Sequence, residues 1–206
     1  MNKLSHIAFI MDGNGRWGKK KKKGRNYGHL KGVETVKKIV KSSIKLKIPF
    51  VTFYVFSSEN WRRPKKEVSF LFKLIKDYFL EEINQVITQG IKINILGEIK
   101  KLSPDVKKVL KDTIKMTNKN KKIQVNLAIN YGSKREILNS IKKMKRFNEK
   151  NLDNNLYTKN IPDPDILIRT GGHQRLSNFM LWQMAYTEFF FLKKLWPDFN
   201  SSDLKR

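Results

Sequence analysis

The chain contains no cysteine, and this absence removes several chemistries at once. Without a thiol there is no disulfide framework, no thiolate nucleophile and no thiolate metal site. Long apolar runs are also missing, since no stretch approaches the roughly 18 residues that a membrane-spanning helix needs. The first ten residues lack the charged start and apolar stretch of a signal peptide. We therefore predict a cytoplasmic protein in which any bound metal has oxygen or imidazole ligands.

Acidic residues are few, with 18 Asp+Glu against 44 Lys+Arg and a net charge of +26. Such a charge attracts phosphates, an anionic membrane surface or nucleic acid. However, 35 of the 44 basic residues are lysines spread through every segment, which is also typical of solvated lysines on an ordinary scaffold. A basic nucleic-acid-binding protein remains an alternative. Because no nucleic-acid-reading motif is recognisable, only nonspecific, salt-sensitive affinity is expected from it.

The length of 206 residues and the hydrophobic content of 39% fit one folded domain over residues 1–206. Short β-branched apolar runs alternate with helix-length amphipathic stretches. The predicted strands are Ser5–Met11, Pro49–Phe56, Ile91–Leu96, Ile123–Ile129, Asp165–Thr170 and, less clearly, Glu188–Leu192. The predicted helices are Leu30–Ile44, Val68–Val86 opened by Pro64, Pro104–Thr117 behind a Ser103 cap, and Lys134–Phe147.

This alternation predicts an α/β fold with a mostly parallel sheet of about six strands flanked by helices. The polar, Asn-rich stretch Asn148–Asn160 is interpreted as a surface excursion within the domain. In open parallel sheets, ligands bind outside the carboxyl ends of the strands. Four stretches follow predicted strands at such ends: "MDGNGRW", "SSENWRRP", "NYG" and "RTGGHQRLSN".

The glycine turn after the first strand formally matches the dinucleotide pattern G-x-G-x-x-G at Gly13–Gly18. We reject that interpretation, because Trp17 and the run Lys19–Lys23 do not suit a tight turn into a close-packed helix. No strand-ending acid follows at the expected distance, and Asp12 would repel a bare pyrophosphate. A tight hairpin is also disfavoured, since a helix rather than a second strand follows; a plain structural turn remains an alternative.

A diphosphate cradle accounts better for the same turn. Gly13 and Gly15 let backbone N–H groups approach phosphate oxygens, and Arg16 and Arg25 can grip them. Asp12 then suits a Mg²⁺ ion that bridges carboxylate and phosphates. His29, near the start of the next helix, is a further candidate donor, although a lone histidine is more often structural.

A second anion site is predicted after the fifth strand. Arg169 and Arg175 flank the pair Gly171-Gly172, and the Ser177 hydroxyl is expected at a helix start. A salt-bridging turn is the alternative interpretation. Two diphosphate sites on one sheet edge predict two diphosphate substrates, with "SSENWRRP" between them.

The motifs "HIAFIMDGNGRWGKK", "GRNYGHLKG", "FYVFSSENWRRP", "NYG", "ILIRTGG" with "QRLSNF", and "LWQMAYTEFFF" with "LWPDF" occur in this order. In this order they resemble the signature blocks of the cis-prenyltransferases, the undecaprenyl diphosphate synthase family. The resemblance runs from His6 to Phe199, nearly the whole chain.

This resemblance implies a homodimer with a deep apolar tunnel, walled by the helix Val68–Ile87 and the second strand. It also implies Mg²⁺-dependent condensation of isopentenyl diphosphate onto an allylic diphosphate, usually farnesyl diphosphate. The implied product is a long cis-polyprenyl diphosphate such as undecaprenyl diphosphate, the lipid carrier for cell-wall synthesis. Peripheral contact with the cytoplasmic membrane surface is expected, and specific nucleic-acid binding is not.

The same resemblance assigns roles to positions of this sequence. It makes Asp12 the acid that works with Mg²⁺ and the leaving pyrophosphate, Asn60 the position of proton removal and Glu188 a second metal-associated carboxylate. Since an amide is a poor base, diphosphate oxygens are an alternative proton acceptor. The implied substrate-binding residues are Gly13, Asn14, Gly15, Arg16, Trp17, Arg25 and His29 for the allylic diphosphate, Ser57, Ser58, Glu59, Trp61 and Arg63 at the junction, and Arg169, Arg175, Leu176 and Ser177 for isopentenyl diphosphate.

Four features depart from the family pattern. His173 stands where an acidic residue is frequent, so metal or proton handling near Arg175 is expected to differ. Val55 stands where alanine is common, and its bulkier side chain is expected to shorten the tunnel and the product. The run Lys19–Lys23, predicted as a loop, is more basic than in relatives, and the sequence ends soon after "LWPDF", where relatives usually continue. A non-catalytic or partner-dependent subunit of the same fold is an alternative, although such subunits typically lose the first-strand acid and its glycine turn, both of which this chain keeps. A trans-type prenyl synthase is disfavoured, because no D-D-x-x-D motif occurs.

Overall fold

Six strands form one sheet in which every neighbouring pair runs parallel. The structure is a computed structural model that describes residues 4–205. The strand order is β3-β4-β2-β1-β5-β6. The strands are β1 His6–Ile10, β2 Phe50–Ser57, β3 Ile91–Leu96, β4 Ile123–Tyr131, β5 Ile166–Arg169 and β6 Glu188–Phe191.

The central strands are apolar on both sides, as a sheet covered on both faces requires. In β1 every residue is buried; Ile7 and Phe9 join the larger apolar cluster, whereas Ala8 and Ile10 join the smaller cluster on the opposite face. Phe9 also stacks on Phe53 of β2, with ring centroids 5.0 Å apart. The alternation of the strand therefore divides one run of residues between two cores.

Helices cover the two faces unequally. The larger cluster lies under α2, α3 and α4, and the smaller one lies under residues 176–184, a segment of turns. The helices are α1 Asn14–Lys20, α2 Gly24–Lys45, α3 Lys65–Thr88, α4 Pro104–Thr117, α5 Ser133–Ile141, α6 Glu149–Asp153 and α7 Ser201–Lys205. Short 3₁₀ helices occur at Ser58–Arg62, Ile99–Lys101 and Trp196–Asp198.

The structure confirms the α/β fold with six parallel strands and changes three details. α5 ends at Ile141 rather than Phe147, whose exposed side chain has no core to pack on. The stretch Asn148–Asn160 contains α6 and is anchored by the buried side chains of Leu152 and Leu156. Ser103 precedes α4 at the predicted cap position, but its side chain makes no capping hydrogen bond.

A further difference is α1, because the turn after Gly13 leads directly into a helix. Part of the lysine run, predicted as a loop, belongs to α1. Its glycines permit close packing on α2: a Cβ on Gly18 would lie 2.0 Å from the Gly24 carbonyl oxygen, and one on Gly28 would lie 1.8 Å from the Asn14 carbonyl oxygen. Gly18 of the G-x-G-x-x-G pattern, together with Gly28, therefore allows the backbones of α1 and α2 to pack in direct contact.

The strand order creates a crevice at the carboxyl edge. From β1 the chain continues to β2 on one side, and from β5 it continues to β6 on the other, while β1 and β5 are neighbours. Such a reversal is where open α/β sheets bind ligands. Asp12 and Thr170 follow these two strands directly, so the fold places the predicted site at the expected point. Within residues 4–205, no helix is long and apolar enough to span a bilayer.

Candidate active site

Asp12 lies at the centre of the carboxyl edge and is held by two arginines. Its Oδ2 accepts a hydrogen bond from Arg169 Nη2 and its Oδ1 accepts one from Arg16 Nη2, both at 3.1 Å. His173 Nε2 lies 4.0 Å from Oδ2. The backbone is fixed as well, because the Asp12 carbonyl accepts from Thr170 Oγ1 at 2.8 Å. The carboxylate therefore joins the residues that follow β1 to those that follow β5.

Gly13 provides the turn after Asp12. Its φ of 112° is the left-handed region that favours glycine, and a Cβ would lie 2.7 Å from Leu195 Cδ2. The first backbone N–H of α1 bonded to a carbonyl is that of Trp17, which donates to Gly13. The N–H groups of Asn14, Gly15 and Arg16 precede it, as expected at a helix start, where donors lack helical partners.

Glu67 of α3 is a site residue that sequence reasoning missed. It accepts two hydrogen bonds from Arg25, Nε to Oε2 and Nη2 to Oε1, both at 3.0 Å. Arg63 Nη1 donates to Oε1 at 3.2 Å, and His29 Nε2 lies 3.4 Å from the same oxygen. Three predicted substrate-binding residues therefore converge on one carboxylate. Its separation of 42 residues from Arg25 hid this contact, although the spacing from Arg63 to Glu67 is that of an i,i+4 pair.

The ionisation of this cluster follows from burial and charge. Burial alone would raise the pKa of Glu67, but the Arg25 and Arg63 guanidinium groups outweigh it and lower the pKa below its usual value. Burial lowers the pKa of His29, and the Glu67 carboxylate offsets only part of that effect. At neutral pH the cluster is thus a carboxylate facing two guanidinium groups and a neutral imidazole.

The remaining residues of the predicted allylic site surround this cluster. Gly15 allows the Arg25 guanidinium to approach, since a Cβ there would lie 2.8 Å from Arg25 Cζ. The side chain of Asn14 packs against Gly32, and its Oδ1 is buried without a hydrogen-bond partner among residues 4–205. Trp17 Nε1 donates to Asp198 Oδ1 at 2.7 Å, so this indole links α1 to the 3₁₀ helix Trp196–Asp198.

Arg169 organises the predicted second anion site. Its Nη1 donates to the Arg175 carbonyl oxygen and, at 2.8 Å, to Ser177 Oγ. Its Nε–H is buried and has no acceptor within the described chain. Burial lowers the pKa of Arg169, and the hydrogen bond that it donates to Asp12 opposes that shift, so the guanidinium remains charged.

The loop after β5 adopts an unusual backbone. Ser177, Asn178 and Met180 have φ values of 52°, 62° and 45°, and Gly171 and Gly172 are also positive. The expectation that Ser177 starts a helix is wrong, because residues 173–187 form turns and bends. These left-handed residues bend the chain back over the carboxyl edge, with Leu176 packed on the smaller apolar cluster.

The 3₁₀ helix Ser58–Arg62 lies between the two anion sites. Asn60 Oδ1 accepts the Ser57 N–H at 3.1 Å, and the two residues form a capping box. Trp61 Nε1 donates to Asn130 Oδ1 of "NYG" at 2.8 Å. A Cβ on Gly132 would lie 2.5 Å from Ser58 Oγ, so this glycine allows the two segments to meet.

Asn178 is a second residue that sequence reasoning did not assign. Its Nδ2 donates to Glu59 Oε1 at 2.8 Å, and its Oδ1 accepts the Lys134 N–H at 2.9 Å. One amide thus connects the loop that carries Ser177, the 3₁₀ helix that carries Glu59 and the start of α5. Burial would raise the pKa of Glu59, but the Asn178 hydrogen bond contributes to a net lowering.

Glu188, predicted as a metal-associated carboxylate, lies far from the other predicted site residues within a single chain. It begins β6 and pairs with Ile166 at the start of β5, level with Ile7 of β1. Asp12 lies beyond the opposite end of these strands, about 15 Å away along the strand direction. The expected pairing of Asp12 and Glu188 around one metal is therefore not formed within a single chain.

A polar cavity and an apolar cavity meet at the carboxyl edge. The polar cavity, of about 310 Å³, is lined by Asp12, Asn60, Arg63, Arg169 and Arg175. Val55 and Leu71 line both cavities. The apolar cavity has a volume of about 110 Å³. It lies among α2, α3 and β2. The walls predicted for the apolar tunnel were α3 and β2, and α2 forms a third wall of the cavity. Its principal apolar lining residues are Val33, Val36, Phe53, Leu74, Ile75, Tyr78, Phe79 and Leu127.

The donor set at the polar cavity fits Mg²⁺ only as an ion shared with a ligand. Within residues 4–205 no three His, Asp or Glu side chains cluster to hold a metal. Of the described residues that line this cavity, Asp12 is the one with a carboxylate, and 27% of its side chain is exposed. Magnesium is usually bound by one or two carboxylates together with substrate phosphates and water. A single accessible carboxylate beside a predicted phosphate site fits that pattern.

Known proteins share both this sequence and this geometry. Residues 10–206 match the family model described as "Putative undecaprenyl diphosphate synthase". Isoprenyl transferase from Clostridium perfringens is 42% identical over 98% of this chain and 84% of its own. Isoprenyl transferase from Rickettsia felis is 40% identical over 99% of this chain and 89% of its own.

Two solved structures have the same architecture. Lavandulyl diphosphate synthase from Lavandula x intermedia, in complex with dimethylallyl diphosphate, superposes with a TM-score of 0.94. It is 31% identical, over 98% of this chain and 92% of its own. A "probable undecaprenyl diphosphate synthase" from Campylobacter jejuni gives 0.84 and 32% identity, over 100% of this chain and 93% of its own. The fold and these relatives define an α/β transferase with an arginine-lined cavity at a switch point of the sheet. The chain belongs to the undecaprenyl diphosphate synthase family, the cis-prenyltransferases.

Proposed function

We propose that the protein condenses isopentenyl diphosphate onto an allylic diphosphate in a Mg²⁺-dependent reaction, with farnesyl diphosphate as the primer. The observation that carries this proposal is the junction of a polar, arginine-lined cavity with an apolar one at the end of β1 and β5. The two cavities match the two parts of a prenyl diphosphate. The described relative that holds dimethylallyl diphosphate has the same fold.

The allylic diphosphate is assigned to the Glu67 cluster. Arg25, Arg63 and His29 lie close together there. The backbone N–H groups at the start of α1, before Trp17, add further hydrogen-bond donors for phosphate. Guanidinium groups bind phosphate oxygens bidentately, and a helix start favours anions. The Glu67 carboxylate keeps the two guanidinium groups oriented when no phosphate is bound.

Isopentenyl diphosphate is assigned to the Arg169 site. Arg175 and Ser177 line the polar cavity with it, and the buried Arg169 Nε–H lacks an acceptor in the described chain. A buried donor without a partner is costly, so a phosphate oxygen that accepted from it would be bound favourably. Asp12 lies between the two sites and is the residue that would hold Mg²⁺ together with phosphate oxygens.

The chain's own residues then support one cycle of elongation. The allylic C–O bond breaks and pyrophosphate leaves with the electron pair, while the cationic residues around Asp12 stabilise the growing negative charge. A bound Mg²⁺ would supply further electrostatic stabilisation of that leaving group. The isopentenyl double bond forms the new C–C bond, and loss of a proton restores a double bond. Because Asn60 Oδ1 already accepts the Ser57 N–H, a diphosphate oxygen is the better proton acceptor.

The growing chain is assigned to the apolar cavity beside Val55. Repeated cycles would give a long cis-polyprenyl diphosphate of the undecaprenyl type, the lipid carrier for cell-wall synthesis. We further propose a cytoplasmic homodimer in peripheral contact with the membrane. Support for the dimer comes from the edge strand β6, where Phe189 and Phe190 remain exposed together with Tyr186 nearby.

The test is an incorporation assay with purified protein, farnesyl diphosphate, labelled isopentenyl diphosphate and Mg²⁺ in detergent. The expected result is a ladder of products ending at one length, abolished by a chelator and restored by added Mg²⁺. Light scattering of the same sample measures the oligomeric state. A dimer without any incorporation, under conditions where a related isoprenyl transferase is active, would favour a non-catalytic subunit and contradict the proposal.

A further inference from the structure

Five consecutive lysines form an exposed surface that the proposed chemistry does not use. Lys19–Lys23, here called the lysine turn, join α1 to α2, and all five side chains are exposed. Lys22 and the following Gly24 have φ values of 56° and 77°, which reverse the chain tightly. Among residues 4–205, the ion pairs with carboxylates involve other basic residues. The positive charge of the turn is therefore not neutralised within the described chain.

Aromatic rings lie beneath the lysine turn. Trp17 stacks on Tyr27 with ring centroids 5.8 Å apart. Lys21 Nζ lies 5.6 Å from the Trp17 ring, and Lys23 Nζ lies 4.8 Å from the Tyr27 ring. Leu30, one turn further along α2, is 44% exposed. Tryptophan, tyrosine and lysine together are the residues that proteins place at membrane–water interfaces.

The lysine turn borders the mouth of the candidate active site. α1 begins two residues after Asp12. Arg25, in the first turn of α2, lines a cavity of about 150 Å³ that shares Asp12, His29 and Arg63 with the polar cavity. Both helices thus connect the turn to the carboxyl edge of the sheet. A surface that docks on this turn would face the side on which the polar cavity opens.

The chain contains a matched set of lysines elsewhere. Lys111, Lys115, Lys119, Lys121 and Lys122 are also exposed, and they lie at the end of α4 and before β4. Because β4 runs parallel to β1, this second set is at the opposite, amino edge of the sheet. The second set carries the same charge but makes none of the cation–π contacts found in the described chain. A purely compositional excess of lysine would make the two sets equivalent.

We propose that the lysine turn is a docking site for an anionic phospholipid surface. The ammonium groups attract the lipid head groups, and the aromatic and apolar side chains beside them suit the interfacial layer. The choice of a membrane rests on the proposed function, since a polyprenyl product is a lipid. Nucleic acid shares the charge preference, but the exposed Leu30 beside the turn favours a lipid interface.

Vesicle sedimentation tests this proposal without requiring turnover. Purified protein is mixed with phosphatidylcholine vesicles, with or without phosphatidylglycerol, in low salt and in about 0.5 M salt. The higher salt shortens the Debye length well below ~10 Å and so screens the attraction between lysines and lipid head groups. Three proteins are compared: the unaltered chain, a variant with Lys19–Lys23 changed to Gln, and a control with the five lysines of the second set changed to Gln. A short RNA is used as the competing anion.

A basic residue near an anionic membrane contributes about a fivefold factor in binding. Five such factors multiply to about 3000-fold when every lysine contacts the surface, so we expect the lysine-turn variant to bind phosphatidylglycerol vesicles at least about 100-fold more weakly, and the control to lose about tenfold or less. Neutral vesicles should bind none of the three. Equal losses in both variants, or no binding by the unaltered chain, would overturn the proposal, as would loss of RNA binding alone in the lysine-turn variant.

The incorporation assay in detergent separates this result from the proposed function. The lysine-turn variant should retain turnover there, because its five side chains lie outside both anion sites. Vesicle binding without turnover in the unaltered chain would contradict the proposed function and leave the docking surface standing. Turnover without vesicle binding would contradict the docking surface and leave the proposed function standing.

Discussion

The polar side chains at the two edges of the sheet differ in their exposure to solvent. At the carboxyl edge, Asp12 and Glu67 hold arginines that are partly exposed to a cavity. At the amino edge, the polar groups are buried and bonded to one another: His6 Nε2 lies 2.7 Å from Thr52 Oγ1, which also accepts from Asn126 Nδ2 at 3.0 Å. The charged groups at the carboxyl edge are accessible to a ligand, whereas the polar groups at the amino edge are buried.

The hydrogen bonds at the amino edge fix the state of His6. Because the Pro162 carbonyl oxygen can only accept, His6 Nδ1, 2.6 Å away, carries the proton and donates to it. Nε2 of the neutral ring then accepts from the Thr52 hydroxyl, whose oxygen accepts from Asn126. Burial lowers the pKa of His6 to about 4, which agrees with a neutral ring. This edge therefore contributes stability, whereas the other edge is organised for exchange with a ligand.

The largest expected effect is on Asp12. Asp12→Asn keeps the shape and an acceptor for Arg169 but removes the charge that would hold Mg²⁺. We expect turnover to fall about 1000-fold, while the free energy of unfolding changes by about 1 kcal/mol or less. Steady-state kinetics and urea unfolding measure the two quantities. Turnover within tenfold of the unaltered protein would contradict the assignment.

A smaller effect is expected at Asn178, which positions Glu59. Asn178→Asp preserves the acceptor for the Lys134 N–H but replaces the donor to Glu59 by a repelling carboxylate. We expect kcat/KM to fall about tenfold, with KM for isopentenyl diphosphate rising. Asn178→Ala, which removes both contacts without repulsion, is the matched comparison. If both variants have the KM of the unaltered protein, Asn178 has only a structural role.

At the amino edge, His6→Gln should affect stability and not turnover. An unfolded histidine binds a proton below about pH 6.5, whereas folded His6 does so only near pH 4. Its contribution is therefore complete above pH 6.5 and is lost as the pH falls toward 4. The unaltered protein should lose about 2 kcal/mol more than the variant between pH 7 and pH 5. Urea unfolding at both pH values measures this difference, and equal pH dependence of the two proteins would contradict it.

The smallest effect on rate is expected at Val55, where the polar and apolar cavities meet. Val55→Ala enlarges the passage and should lengthen the product, and Val55→Leu should shorten it. The cost in stability for the alanine variant is about 1 kcal/mol. Product chain lengths resolved from the incorporation assay measure the shift. An identical length distribution in all three proteins would show that Val55 does not limit the chain.

The sequence predicted those elements whose signals are local. α4 begins and ends at the predicted residues because Pro104 and a regular apolar stripe mark it. α1 was missed because its stability comes from glycine contacts with α2, which no local pattern shows. The same reason explains the sites: Asp12 follows a strand visibly, whereas Glu67 and Asn178 meet their partners 42 and 119 residues away.

The central claim is that the carboxyl edge holds two separate diphosphate sites. Calorimetric binding of isopentenyl diphosphate and of an unreactive farnesyl diphosphate analogue, with Mg²⁺ present, tests it through Arg25→Ala and Arg175→Ala. We predict that Arg25→Ala weakens the farnesyl analogue about tenfold or more and leaves isopentenyl diphosphate within about twofold, and that Arg175→Ala does the opposite. If both variants weaken the same ligand, or if the two ligands compete for one site, the claim is contradicted.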